Sequence, residues 1–392
     1  MSDLSVPAMK APPVARRNPL TRSVTGLTGL ILSVLLTAVC LGSLPWTLTS
    51  AEEGQPARYK DGELEAFLLP PFWAEHDEKE RERLEALEEA PSAWLGTDRL
   101  GRDLLTRTLT GGGISIGIGV AAAFIAVTIG TLYGAIAGYV GGRTDSVMMR
   151  IVDVLYGLPY ILLVVLLAVA GDALIDRWIS AQSERIEIAR SAFVLEQAQE
   201  ADASVTAESV TLFLEARPEL AASINAMADA NPRVARKELS EGQRKALEVL
   251  ILLTAIGGVS WLTMARVIRG QVLSLRSQPF MEAANAIGTP LHTKFLRHLL
   301  PNLIGPIVVY TTLIVPQAIL QESFLSFLGI GVQPPLPSWG NLAAEGLTEL
   351  NTVKARWWLL LFPCALLGIT LLSLNFVGEG LREAFDPKRA RR

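Results

Sequence analysis

Residues 114–140 read ISIGIGVAAAFIAVTIGTLYGAIAGYV, 27 positions without a single charged side chain. A bilayer core takes about 20 mostly apolar residues per helix, so this run is long enough to span one. Its glycines and alanines suit close packing between membrane helices. Working outward, comparable runs occur at about Val24–Leu44, Ile151–Ala170, Leu247–Ala265, Leu303–Leu320 and Trp357–Val377. The sequence therefore predicts an all-α, polytopic bundle of six transmembrane helices. Pro306, Pro316 and Pro363 fall inside the last two runs; membrane helices tolerate proline where neighbours satisfy the freed backbone groups, which points to a packed bundle.

Composition agrees. The chain has 392 residues, 50% hydrophobic and 19% charged, with a mean hydropathy of +0.35. Soluble domains average about 25% charged residues, and here the apolar residues come in blocks instead of amphipathic stripes. This excludes a disordered chain and argues against an ordinary soluble enzyme. A formal net charge of −4 gives no reason to expect nucleic acid as a partner; membrane lipid is the expected surrounding. Cys40 and Cys364 are the only cysteines, too few for a disulfide scaffold or a multi-cysteine metal site. Both are expected as small buried hydrophobes.

Basic residues gather on the cytoplasmic side of membrane chains. Here Lys10, Arg16, Arg17 and Arg22 precede the first span, Arg143 and Arg150 follow the second, Arg266, Arg269, Arg276, Lys294 and Arg297 follow the fourth, and Lys388, Arg389, Arg391 and Arg392 follow the sixth. With six spans these segments share one side, so both termini are expected in the cytoplasm of a multi-pass inner-membrane protein. The first span resembles a signal peptide, but Val39 suits a cleavage site poorly and the apolar run continues past it, so a retained anchor is expected. The organisation is then a tail at 1–23, an anchor at 24–44, an external loop at 45–110 that is helical near Glu75–Glu89, a first core part at 111–171 with two spans, an external insert at 172–246 that is helical near Glu184–Glu200, a second core part at 247–378 with three spans, and a tail at 379–392.

The most specific stretch lies in 277–301, after the fourth span. Glu282-Ala283-Ala284-Asn285-Ala286-Ile287-Gly288 is followed, nine residues on, by His298-Leu299-Leu300-Pro301-Asn302. It reads as a helix ending at a glycine, a turn, and a second short helix stopped by proline. Ala283 and Ala284 let another surface approach closely, and Gly288 gives the corner its backbone freedom. Such a stretch across the mouth of a bundle suits a partner's lever; by itself it is equally a plain connection.

The spacing is similar to the EAA loop of ABC importer permeases, and Arg297–Asn302 resembles its ending in the peptide-permease branch. Other stretches agree: Leu95-Gly96-Thr97-Asp98-Arg99-Leu100-Gly101-Arg102-Asp103 ahead of the second span, Met149–Val154, Leu325–Pro335 with Ser338-Trp339-Gly340, and Asn375–Pro387. The resemblance covers about 94–171 and 247–388 plus the anchor. Two departures stand out. Gly111-Gly112-Gly113 replaces the usual Gly-Ala-Arg, removing a positive charge expected at the outer mouth, and the 172–246 insert is unusually long.

The resemblance implies a type I ABC importer permease of the oligopeptide, dipeptide and nickel family, not itself an enzyme. Implied partners are a second, homologous permease, two cytoplasmic ATPase subunits that use ATP-Mg, and an extracytoplasmic substrate-binding protein. The chain itself is expected to hold no cofactor, and it has no Gly-x-x-x-x-Gly-Lys-Ser/Thr phosphate loop. Glu282, Ala283, Ala284, Gly288, Leu300 and Pro301 would form the loop that couples to the ATPases. Peptides are the expected cargo, with nickel or another small solute as the alternative.

Among single residues, Glu322 with Gln321 near the end of the fifth span is a candidate for the translocation pathway, because an ionisable group at that depth is a functional candidate. Arg266 and Arg269 are read as positive-inside residues, and Trp339, Trp357 and Trp358 as an interfacial belt. His292 and His298 lack a third ligand nearby, so no metal is expected; no catalytic residue is expected either. A secondary transporter would need inverted repeats and midplane charges, which are not evident.

Overall fold

A computed structural model describes residues 23–52, 54–86, 93–235, 241–350 and 355–385. The basic residues counted above at 1–22 and 386–392 lie outside them, as do 87–89 of the expected charged helix. The helices are α1 (Val24–Thr47), α2 (Glu78–Ala86), α3 (Leu104–Val140), α4 (Gly142–Tyr156), α5 (Tyr160–Ala201), α6 (Val210–Glu215), α7 (Pro218–Ala230), α8 (Glu241–Arg276), α9 (Pro279–Ala286), α10 (Leu291–Thr293), α11 (Leu300–Phe327), α12 (Trp339–Thr348) and α13 (Trp358–Phe385). Among the described residues there are isolated β-bridges but no strand. Five helices are long and apolar enough to cross a membrane, and a sixth crossing results if α4 and α5 count as one. The protein is thus an all-α membrane bundle.

The chain divides into two compact units, residues 1–158 with 256–392, and residues 159–255. In the first, α3 packs on α1 and α11, α13 packs on α1, α11 and α12, and α12 packs on α11. The second has a small core of its own, Ala198, Val205 and Ile224, bordered by Val194, Leu195, Phe213 and Leu220. There the buried Arg190 reaches Asp229 at 2.6 Å and Asn225 at 3.1 Å, tying α5 to α7.

Several boundaries differ from the sequence expectation. The third apolar run, 151–170, straddles a break: α4 ends at Tyr156 and α5 starts at Tyr160. Pro159 has no N–H to continue a helix and pushes Leu158 out of helical geometry. The second span begins at Leu104, ten residues before Ile114, because Asp103 caps it; its Oδ2 accepts from the Thr106 N–H at 2.8 Å. The expected insert has no sharp edges, since α5 runs on to Ala201 and α8 begins at Glu241. Cys40 is buried as expected, whereas Cys364 is exposed on α13.

The glycines of α3 are used within this chain. Gly130, Gly134 and Gly138 form a ridge of i, i+4 spacing against α8. A Cβ at Gly130 would lie 2.7 Å from the Trp261 carbonyl oxygen, one at Gly134 would overlap the Ala265 carbonyl, and one at Gly138 would lie 2.9 Å from that of Arg269. Small residues at this spacing let two backbones meet. The Gly and Ala content of the second span is therefore not by itself evidence for a second chain. Gly113 faces α1, where a Cβ would lie 2.8 Å from the Leu44 side chain. The charge absent there would have pointed at a helix, not into an open mouth.

Candidate functional site

At the end of the bundle where α3 finishes, α8 gives way to the 277–301 segment. Pro279 occupies the first turn of α9, where a missing N–H costs nothing. The helix closes in a Schellman motif: the Thr289 N–H donates to the Ala284 carbonyl at 3.1 Å and the Gly288 N–H to that of Asn285 at 3.0 Å. Gly288 sits at φ +74° with open space around its missing side chain. Its requirement is thus a backbone conformation and not room.

The two faces of α9 differ. Met281 and Ala284 are buried, three residues apart on one face, while Glu282, Ala283, Asn285 and Ala286 are exposed. Ile287 is 82% exposed. Of the two alanines, Ala284 is spent on packing inside the chain and Ala283 faces outward. Glu282 lies in the first turn of α9, where a carboxylate is favoured by the helix dipole. Met281 joins Leu299, Leu303, Met264, Ile268 and Val272 in one buried cluster with Ala126 and Ala135 of α3. Met281 and Leu299 thus root both arms of the segment in α3, α8 and α11. Sequence reading did not single out either.

Nor does proline stop a second short helix. From Leu291 the chain runs helically to Phe327, and a π-turn at Lys294–Leu299 leads straight into α11. Pro301 lacks an N–H, and its ring would crowd the carbonyl four residues earlier; the wider turn relieves both. Leu300 is half-buried at this junction.

Arg266 and Arg269 do more than mark a side. Arg269 makes a bidentate pair with Asp145 of α4, at 2.5 and 2.6 Å, and Arg266 reaches Asp153 at 2.8 Å. These pairs fix α4 to α8 beside the segment.

At the opposite end of the bundle, where α3 begins, the Leu95–Asp103 stretch is folded back on itself and on α12. The Asp98 Oδ1 accepts from the N–H groups of Leu100 and Arg102 at 2.8 and 3.0 Å, and its Oδ2 meets Arg102 at 2.7 Å and Arg107 at 2.5 Å. Arg107, 1% exposed, also grips Glu345 of α12 at 2.6 and 3.1 Å. Glu349 is bonded by Arg99 and, at 2.6 Å, by Arg356. Burial alone would raise the Glu349 carboxyl, but Arg99 and Arg356 outweigh it and hold it below its usual range. A cavity of about 450 Å³ lies between Asp98–Arg107 and Leu342–Glu349.

Glu322 is fully buried in this conformation, and Gln321 beside it is half-buried. Of the three tryptophans expected at the interface, Trp339 and Trp358 are buried, and only Trp357 is exposed. The Trp339 indole N–H donates to the Thr108 carbonyl at 3.1 Å, so this ring is a wedge between α3 and α12.

A multi-pass all-α bundle, with one end tied within the chain and a rooted helix with an exposed face at the other, fits the frame of a membrane permease. Residues 130–391 match the family described as binding-protein-dependent transport system inner membrane component. The chain belongs to that family. It is 39% identical over 295 residues to the oligopeptide transport system permease protein OppC of Haemophilus influenzae, covering 75% of this chain and 70% of the relative. It is 40% identical over 295 residues to the Escherichia coli protein of the same name, with coverages of 75% and 72%. The dipeptide transport system permease protein DppC of Bacillus subtilis is 36% identical over 326 residues, with coverages of 83% and 78%.

Proposed function

We propose that this chain forms half of the translocation pathway of an ATP-driven importer for oligopeptides or dipeptides. The second half is a homologous permease, two cytoplasmic ATPase subunits consume ATP-Mg, and an extracytoplasmic binding protein delivers the cargo. Peptides are preferred to nickel because the relatives named above carry peptide-transport names. The α9 end faces the cytoplasm with both termini, and the α12 end faces outward; the support is the distribution of basic residues.

The observation that carries the mechanism is the two-faced α9. Glu282, Ala283 and Ile287 stand free to meet an ATPase, while Met281 and Ala284 on the other face are buried in the chain. Closure of the ATPase dimer would push on the exposed face. Because Met281 and Leu299 sit in the core shared by α3, α8 and α11, the push moves those helices as bodies, and the central path alternates its access. Gly288, Leu300 and Pro301 set the geometry at the two joints of this lever. Gln321, half-buried near the end of α11, is the pathway candidate.

The test is Gly288→Asp in membrane vesicles, scored for ATPase docking, hydrolysis and peptide uptake. We expect insertion to persist and uptake to be lost. The cause would be strain at a positive φ and a new charge facing the partner, since no clash exists at this position. Normal uptake with normal docking would reduce the segment to a plain connection.

A further inference from the structure

Glu322 is the most enclosed carboxyl among the described residues, and the proposed mechanism leaves it unused. Its Oε1 accepts from the Ser326 hydroxyl at 2.7 Å and its Oε2 from that of Ser323 at 3.2 Å. The hydroxyls of Ser115 on α3 and Ser338 at the start of α12 lie close by and interact with it. A carboxyl group has about four lone-pair sites, and four hydroxyls surround this one. A buried carboxylate without such partners would be costly.

The serines are not end points. The Ser326 hydroxyl gives its proton to Glu322 while its Oγ accepts from the Val332 N–H at 2.9 Å; beside the same carboxyl, the Ser115 Oγ accepts from the Trp339 N–H and the Ser338 Oγ from the Asn341 N–H, each at 3.3 Å. A hydroxyl has one proton and two lone pairs, so fixing where the proton goes fixes which side is left to accept. One side chain thereby sits among three hydroxyls that hold three backbone N–H groups in the 328–341 segment. The backbones are pressed together at the same place: a Cβ at Gly340 would overlap the Ser323 carbonyl, and one at Gly331 would lie 2.5 Å from the Ser326 nitrogen.

We propose that Glu322 is a positioning residue, whose carboxyl, through Ser115, Ser326 and Ser338, keys the 328–341 segment and α12 onto α3 and α11. It touches no cargo. It keeps the α12 end in register while the opposite end is pushed. Only the transport consequence of this assignment rests on the proposed function; the structural part stands without it.

The assembled complex in nanodiscs, with Glu322→Ala, Glu322→Gln and Ser338→Ala variants, provides the test by amide hydrogen exchange. Glu322→Ala is expected to speed exchange at Val332, Trp339 and Asn341 by about tenfold or more, tenfold being about 1.4 kcal/mol. Amides of 279–299 should stay at the wild-type rate, which general loosening of the fold would not allow. Glu322→Gln, whose amide accepts at only one end, is expected to fall between wild type and Glu322→Ala. Ser338→Ala should speed Asn341 alone. If Glu322→Ala does not assemble, the Gln and Ser338 variants decide. Unchanged exchange at these amides, or an equal rise throughout the bundle, overturns the assignment. Uptake is measured in parallel: failure of the wild-type complex to move peptides would count against the proposed function, and leave the exchange result to judge Glu322 by itself.

Discussion

The two ends of the bundle use their polar residues in opposite ways. At the α12 end, Asp98, Arg107 and Glu345 are tied to one another, Glu349 to Arg99 and Arg356, and Glu322 to serine hydroxyls, all within the chain. At the α9 end, Met281 and Ala284 are buried, while Glu282, Ala283 and Ile287 stand exposed. A motif that satisfies itself is a structural motif, and its loss costs stability. A motif that folds cleanly and still leaves a face uncovered is a contact surface, and its loss costs coupling. Both ends carry stretches that resemble one family, yet they ask for different experiments.

The largest effect is expected where the α12 end is most self-contained. Arg107→Ala leaves Asp98 and Glu345 without their shared cation; breaking a fully buried pair costs about 3–5 kcal/mol, which Arg102 on Asp98 and the partial exposure of Glu345 reduce here. The melting temperature of the purified complex would report it. Arg107→Lys should recover only part, because an ammonium cannot grip two carboxylates in the same fork. If Arg107→Ala melted like wild type, the α12 end would not be self-supporting.

Next comes the α3–α8 seam that joins the two ends. Gly134→Val drives a side chain into the Ala265 carbonyl, and overpacking of this kind costs about 1–3 kcal/mol or more. Gly117→Ala, on the same helix with no atom within 4 Å of the new carbon, should leave stability unchanged. Membrane levels of the folded protein separate the two. Loss of assembly in Gly117→Leu with the chain still folded would locate the second permease at that face.

At the α9 end the effect on stability is smaller. Gly288→Val forces a β-branched residue to φ +74°, worth about 1–2 kcal/mol, whereas Gly288→Asn should be close to neutral because asparagine visits that region. Peptide uptake, not melting, is where the valine variant should fail most.

The smallest effect is a pH dependence at the α12 end. The Glu349 carboxyl is held below its ordinary value of 4.5 by Arg99 and Arg356. A depressed folded value means that the bonds stabilise fully above the unfolded value and are lost as pH falls through the folded one. The melting temperature should therefore drop below about pH 4.5, and Glu349→Gln should flatten that slope. An unaltered slope in the variant would assign the acid sensitivity elsewhere.

Much of this was legible in the sequence. Hydropathy marks the apolar runs of α1, α3, α8, α11 and α13, and Gly288 marks the end of α9. The third apolar run shows the limit of a window average: Gly157-Leu158-Pro159 interrupts the helix while the run stays apolar. Pairings such as Arg269 with Asp145, 124 positions apart in the chain, leave no trace in a single sequence. Trp339 was misplaced because a tryptophan near a span end fits an interface and a core equally well, and only the Thr108 carbonyl decides. The glycines of α3 signalled close packing correctly; which helix they meet was invisible.

The central claim is that the exposed face of α9 is where an ATPase is met. Ile287→Cys places a thiol at the most exposed apolar position of the segment, and a short bifunctional reagent in vesicles holding the whole transporter reads its neighbours. The account predicts an adduct between this chain and an ATPase subunit, changing in yield with ATP. Full uptake and no ATPase adduct in either nucleotide state would contradict it.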